Sequence, residues 1–126
     1  MGILFAIAVG GAIGAVLRFT MVAWVANNFE HALPLGTLAV NVVGAFLIGI
    51  LMVSLQARVL EHEWLRYLLV VGLLGGFTTF SAFSLDTYVM FESGAHFKAM
   101  INIVLNVVLC VFATTSAIWL SRHVFH

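Results

Sequence analysis

The stretch GGFTTFSAFS, residues 75–84, decides the fold, because it lies in the middle of sequence that otherwise reads as membrane-spanning. Its first two residues are glycines, which weaken a helix, and four hydroxyl side chains follow within eight positions. Polar groups of this kind are costly in hydrocarbon. Three aromatic residues recur at every third position of the same stretch, namely Phe77, Phe80 and Phe83.

The composition around this stretch is that of an integral membrane protein. Of the 126 residues, 63% are hydrophobic and 8% are charged, and the mean hydropathy is +1.18. A soluble domain of this length could not bury so much apolar surface. The formal net charge is zero, so no basic patch for nucleic acid is present and no nucleic-acid partner is expected. The single cysteine, Cys110, excludes an intrachain disulfide.

Four apolar runs are long enough to cross a bilayer as tilted helices. We place them at 3–26, 35–57, 65–91 and 98–121, in a single membrane domain covering 1–126. The runs are continuously apolar rather than alternating, which excludes a membrane β-barrel. Two GxxxG motifs, Gly10 with Gly14 and Gly72 with Gly76, predict close helix packing.

The charges flanking the spans give almost no orientation signal. One side of the membrane would hold Arg58, Arg66 and Arg122, and the other would hold Lys98 and the late-span Arg18. Such a chain can insert both ways round and form an antiparallel dimer, or one fixed orientation can be set by another signal. A four-helix bundle fills its own interior with side chains, so transport favours a second subunit.

Polar side chains within the spans fall on single helix faces. The fourth span carries an unbroken i, i+4 stripe and the second span a similar pair. These residues either form a polar track through the membrane or hold helices together by hydrogen bonds. The stripe consists of Asn102, Asn106, Cys110 and Thr114, and the pair of Thr37 and Asn41.

The charges inside the spans indicate which ion such a track would pass. No acid lies in the first, second or fourth span, and Asp86 in the third has no role that the sequence assigns. Arg18 is the only cation well inside a span, since Arg66 and Lys98 stand at the ends of theirs. Neutral donors bind an anion weakly enough to release it, so an anion path is favoured. The positive edges of Phe80 and Phe83 could hold an anion, although membrane phenylalanines usually face lipid or pack between helices.

Three ordered motifs resemble one family, the Fluc (CrcB) fluoride channels. They are GGFTTFSAFS, GGAIGAVLRF at 10–19 and GTLAVNVVGAFLIG at 36–49, and the resemblance covers nearly the whole chain. It implies an antiparallel, dual-topology homodimer with two pores, in the inner membrane of a bacterial cell. Its activity would be passive export of cytoplasmic fluoride, which is not an enzymatic reaction.

The resemblance also implies roles for individual residues. The third helix would be broken near Gly75–Thr78, and the backbone carbonyls of Gly75 and Thr78 from both subunits would hold a structural Na⁺. Irregular backbone at membrane depth is tolerated where it is buried in protein. Ring edges, amide and hydroxyl donors and one vestibule arginine would line the ion path, namely Phe80, Phe83, Asn41, Ser81, Thr37 and Arg18, while Thr79 matches a hydroxyl position of the break.

The chain departs from the family pattern at two places. Ala82 stands where the signature usually has a hydroxyl. The track of the fourth span is commonly Tyr and Ser, and here it reads Asn102, Asn106 and Cys110, of which Cys110 is a weak donor. The outer half of the pathway is therefore the part that the resemblance specifies least.

Two other classes of protein fit the composition. A small four-span, dual-topology exporter of the multidrug type has the same size and hydropathy, but it relies on a carboxylate in the first span, where this chain has only Arg18. A non-transporting membrane subunit would use the polar stripe only to join helices.

Overall fold

The computed structural model describes residues 1–29, 33–57 and 62–125, and its regular elements there are all helices. The first two are α1 at Gly2–Asn28 and α2 at Leu35–Gln56. Both sequences are apolar on nearly every face, so periodicity does not mark a buried side and length alone identifies them as spans. Arg58, which the charge count above uses, lies outside the described residues.

The third span, Glu63–Glu92, is composite. It begins with α3 at Glu63–Arg66, continues as a π-helical segment at Tyr67–Leu74, and returns to α-helix in α4 at Gly75–Phe77. Helix α5 then runs over Phe80–Glu92. The two residues between α4 and α5, Thr78 and Thr79, have extended backbone, and we call them the Thr78–Thr79 link.

Helix α6, His96–Phe125, completes the chain. It follows α5 through a tight turn in which Gly94 has a φ of +88°, a conformation that favours glycine, and the Ala95 N–H bonds to the Met90 carbonyl at 2.9 Å. The four spans are long and apolar enough to cross a membrane, which confirms the predicted number of spanning helices. α6 ends at Phe125 rather than near 121, because hydropathy marks the hydrocarbon-embedded part while the helix continues beyond it.

The two GxxxG motifs pack directly against each other. A Cβ added at Gly14 would meet the Leu73 carbonyl, and one added at Gly76 would lie 2.7 Å from the Gly11 carbonyl oxygen. The backbone of α1 therefore touches the backbone of the π-helical segment and α4, with no side chain between them. This contact fixes the third span at the level where the link interrupts it.

On the other side of the molecule, α2 packs chiefly against α6. Val40, Ala99 and Ala117 are fully buried there, and the Thr114 hydroxyl donates to the Ala45 carbonyl at 2.8 Å across the two helices. Helix α1 thus packs against the first half of the third span, and α2 packs against α6. Helix α5 also packs on α6. The link lies where these layers meet.

Candidate functional site around the Thr78–Thr79 link

The link begins and ends with local hydrogen bonds. Thr78 closes α4, because both its N–H and its hydroxyl donate to the Leu74 carbonyl, at 3.0 and 2.9 Å. Thr79 opens α5, because its hydroxyl oxygen accepts the Ala82 N–H at 3.1 Å, the usual bond of a helix N-cap. The two adjacent threonines therefore stop one helix and start the next.

The link changes the partners of the backbone around it. In a continuous helix the Thr79 N–H would bond to the Gly75 carbonyl and the Ala82 N–H to the Thr78 carbonyl. Here the Thr79 N–H bonds to Asn41 Oδ1 at 2.8 Å, and the Ala82 N–H bonds to the Thr79 hydroxyl. The carbonyls of Gly75 and Thr78 thus lose their helical donors.

A third carbonyl is supplied with a charged partner from α1. Arg18 donates from Nε to the Gly76 carbonyl oxygen at 3.1 Å. The arginine predicted from the sequence to face a vestibule is therefore bonded to the backbone next to the link. A charge-assisted hydrogen bond of this kind stabilises a helix end, because the carbonyl there has no backbone N–H of a following turn as its donor.

Asn41 of α2 holds the link through both ends of its amide. Its Oδ1 accepts the Thr79 N–H, and its Nδ2 donates to the Thr79 carbonyl at 3.1 Å, so one side chain satisfies both backbone groups of Thr79. The second Nδ2 hydrogen goes to Asn106 Oδ1 at 3.2 Å. Both amide hydrogens are thus already used, and we interpret Asn41 first as the residue that positions the link.

The bond to Asn106 continues into a relay of hydrogen bonds between α6 and α5. Asn106 donates to Asn102 Oδ1 at 3.1 Å and Asn102 donates to the Thr87 hydroxyl at 2.9 Å. Thr87 in turn donates to the Phe83 carbonyl at 2.8 Å. We call this set the amide relay, and it consists of Asn41, Asn106, Asn102 and Thr87, with the backbone of Thr79 and Phe83 at its ends.

A cavity of about 530 Å³ lies beside the link. Among the described residues that line it none is charged, and its walls come from α2, the third span and α6. It brings together many of the residues predicted for an ion site. Those residues are Asn41, Gly75, Thr78, Thr79, Phe80, Phe83, Asn106, Cys110 and Thr114.

The two phenylalanines of this cavity are arranged edge to face. Their ring centroids lie 5.3 Å apart at an interplanar angle of 63°. Phe83 is buried, whereas Phe80 is 76% exposed on the single chain. A ring edge carries partial positive charge, so rings in this arrangement can present edges to an anion without a formal charge that would trap it.

Four predicted ion-path residues lie outside the described lining of this cavity, namely Arg18, which is bonded to the Gly76 carbonyl as described above, and Thr37, Asn102 and Ser81. Thr37 lines a second cavity of about 430 Å³, where its hydroxyl donates to Asp86 Oδ2 at 3.1 Å. Asn102 is buried within the amide relay. Ser81 is exposed, with its hydroxyl 3.3 Å from that of Thr79.

The hydroxyl hydrogens near the link are mostly engaged. Thr78 donates to the Leu74 carbonyl and Thr114 to the Ala45 carbonyl. Thr79 and Ser81 have two hydroxyl hydrogens and share one bond with each other, so that pair retains one hydrogen. Among the described side chains, this hydroxyl pair, the phenylalanine edges and the weak thiol donor of Cys110 therefore remain for an anion beside the link.

Sequence reasoning missed two features of the site. The sequence analysis assigns no role to Thr87, although it and Asn102 stand at similar distances on either side of the Gly94 turn, which could have indicated their contact. The pair of hydrogen bonds from Asn41 to the N–H and the carbonyl of Thr79 was also not anticipated. Its signal is a lone span amide, which offers a donor and an acceptor to backbone groups outside a helix.

Comparison with known proteins gives one family. Residues 5–118 match the family described as CrcB-like protein, Camphor Resistance (CrcB). A relative from Geobacter sulfurreducens, called Fluoride-specific ion channel FluC, is 44% identical over 122 residues, which cover 97% of this chain and 98% of that protein. Relatives of the same name from Sulfurovum sp. and Shewanella woodyi are 41% and 46% identical, covering 98% and 84% of this chain and 96% and 85% of their own.

Proposed function

Because the chain belongs to the CrcB family, we propose that it is a fluoride-selective channel that lets fluoride leave the cytoplasm passively. The observation that carries this proposal is similarity along nearly the full length to proteins called fluoride-specific ion channels. The protein is a multi-pass protein of the inner membrane and not an enzyme. The multidrug-type exporter is not favoured, since the family and its relatives are of a different class.

The cavity beside the link has the chemistry that such a channel needs. Its described lining is uncharged, so a small anion meets weak partners from which it can depart. The edges of Phe80 and Phe83 and the Thr79–Ser81 hydroxyl pair supply positive partial charge. Arg18 adds a full positive charge near the path while bonded to the Gly76 carbonyl.

We expect purified protein in liposomes to release loaded fluoride rapidly and chloride hardly at all, without a pH gradient. A fluoride electrode and a chloride electrode on matched vesicles measure the two rates. Empty liposomes give the leak. Fluoride release no faster than that leak would remove the channel proposal, and equal release of both halides would remove the selectivity.

We propose that the protein is a homodimer, and the shape of the site supports this. Phe80 and Gly75 are exposed on the single chain although they lie beside the link at membrane depth. Extended backbone must be covered by protein or face water there, and a second copy placed antiparallel would cover the open side. The weak charge bias, with Arg66 and Arg122 near one end and Lys98 near the other, supports insertion in both orientations.

Dual topology predicts that a reporter fused after residue 126 is found on both sides of the membrane. A pair of C-terminal fusions, to alkaline phosphatase and to green fluorescent protein, should both be active in cells. Adding three lysines after Lys98 should bias the chain to one orientation and silence one of the two reporters, since positive charge is retained inside. Activity of a single reporter with the unmodified chain would contradict dual topology.

A structural Na⁺ fits the backbone around the link. The carbonyls of Gly75 and Thr78 have lost their helical donors, and carbonyl oxygens are ligands suited to a hard cation. When bound, the ion would supply positive charge beside the anion path. An experimental density map of the dimer should show a peak between the two copies, within coordination distance of these four oxygens, and an empty axis would sink this part of the proposal.

A further inference from the structure

The amide relay has a fixed direction, because backbone groups of opposite kind stand at its two ends. Phe83 offers a carbonyl, which accepts the Thr87 hydroxyl hydrogen at 2.8 Å. Thr79 offers an N–H, which needs an acceptor and finds Asn41 Oδ1 at 2.8 Å. A hydroxyl or an amide can turn round, but the carbonyl and the N–H cannot exchange roles.

The donor-to-acceptor direction of each hydrogen bond in the relay limits the direction of the next one. With its hydrogen on Phe83, the Thr87 hydroxyl can only accept from Asn102, whose Nδ2 lies 2.9 Å away. Asn102 then presents Oδ1 to Asn106 Nδ2 at 3.1 Å, and its backbone carbonyl accepts from the same nitrogen at 2.9 Å. Asn106 in turn presents its oxygen to Asn41 Nδ2 at 3.2 Å. Each amide therefore has a single orientation in which all bonds are formed.

The side chains of Asn102 and Thr87 lie behind the described wall of the cavity, bonded to Asn106 and Phe83, which line it. Asn102 is 2% exposed and Thr87 is 8% exposed. Asn41 and Asn106 line the cavity, whereas Asn102 and Thr87 are not part of its described lining. Side chains this deeply buried within the relay do not reach an ion in the cavity.

We propose that Asn102 and Thr87 are positioning residues, which hold Asn106 Oδ1 against Asn41 Nδ2 and so keep the Asn41 amide in place on the Thr78–Thr79 link. An Asn41 amide turned round would point its NH₂ group at the Thr79 N–H, leaving two donors face to face and both backbone groups of Thr79 unsatisfied. The inference rests on the proposed function for its effect on transport. Its effect on the Thr79 N–H can be measured independently of transport.

The variant Thr87→Val keeps the side-chain shape and removes the hydroxyl that starts the relay. We expect the Thr79 N–H to exchange with solvent deuterium about tenfold faster, followed by nuclear magnetic resonance in bicelles, and fluoride efflux to fall by roughly the same factor. Tenfold corresponds to about 1.4 kcal/mol, within the range for loss of one net hydrogen bond. Thr87→Ser retains the hydroxyl and should restore both rates.

A double-mutant cycle separates positioning from general loosening. In an Asn41→Ala background the Thr79 N–H has already lost its acceptor, so adding Thr87→Val should not accelerate its exchange further. If Thr87 only stabilised the bundle, the same acceleration would appear in both backgrounds. Asn102→Ala should behave like Thr87→Val in each background, and it replaces that variant if Thr87→Val does not fold.

Ser54→Ala is the matched control, because it removes a buried hydroxyl of α2 that bonds locally to the Ile50 carbonyl, outside the relay. It should leave Thr79 exchange and efflux unchanged. Unaltered Thr79 exchange in both Thr87→Val and Asn102→Ala would overturn the inference. Absence of efflux in the unmodified protein would remove only the proposed function, since the exchange rates still report on the relay.

Discussion

Replacing Asn41 with Asp is expected to lower fluoride efflux about a hundredfold. The substitution keeps the shape of the side chain but turns Nδ2, which donates to the Thr79 carbonyl and to Asn106 Oδ1, into an acceptor. Two hydrogen bonds at a partly buried site become contacts between oxygens. At about 1–3 kcal/mol for each unsatisfied group, the change is on the order of a hundredfold in a rate that depends on this geometry.

The measurement is electrode-detected efflux from liposomes, with size-exclusion chromatography to show that the assembly survives. Asn28→Asp is the matched control, since Asn28 is exposed at the end of α1 and bonds locally to the Trp24 carbonyl. It should leave efflux within about twofold, because surface substitutions away from special contacts have small effects. Unaltered efflux in Asn41→Asp would show that transport does not need the hydrogen bonds donated by Asn41 Nδ2.

Gly14→Ala is expected to destabilise the fold by about 2–3 kcal/mol. The new methyl group would meet the Leu73 carbonyl, which belongs to the backbone of the π-helical segment and cannot rotate away. The two backbones must therefore separate, and the contact that fixes the third span beside the link is lost. Thermal unfolding in detergent, followed by fluorescence and by loss of the monodisperse peak, measures the change.

Gly11→Ala is the matched control, because it makes the same substitution at a position of α1 that has room for the methyl group. Its added Cβ would lie 4.0 Å from the nearest atom, the Gly72 carbonyl oxygen, which is an ordinary van der Waals distance. Alanine is the better helix former by about 1 kcal/mol, so this variant should be as stable as the unmodified chain or slightly more so. Equal destabilisation by both substitutions would mean that loss of glycine itself, and not the crossing at Gly14, is responsible.

Hydropathy predicted the four spans because membrane insertion depends on summed apolar character, which a single sequence displays directly. Close packing at the two small-residue motifs was also predicted, since Gly10 with Gly14 and Gly72 with Gly76 have the spacing of one helix face, but the sequence did not show that the motifs meet each other. The π-helical segment was not predicted. Its residues, YLLVVGLL, are apolar in every direction, so a change of helical period leaves no pattern.

The site was predicted in its membership more than in its bonding. Phe80, Phe83, Asn41 and Asn106 line one cavity, and their role in an ion path stays a prediction. What the sequence could not show was how each donor is used, because this depends on which backbone groups the link releases. Thr37 illustrates the limit, since its partner Asp86 lies 49 positions away and the pairing becomes visible only when α2 and α5 are placed side by side.

The open side of the cavity has a genetic consequence. If each ion path is completed by a second subunit, a defective subunit also impairs transport through the intact subunit with which it assembles. A cell that expresses unmodified and Asn41→Asp chains together would then hold few assemblies in which both members are sound. Sensitivity to fluoride should rise more steeply than the fraction of altered chains, as is typical of dominant interference between alleles.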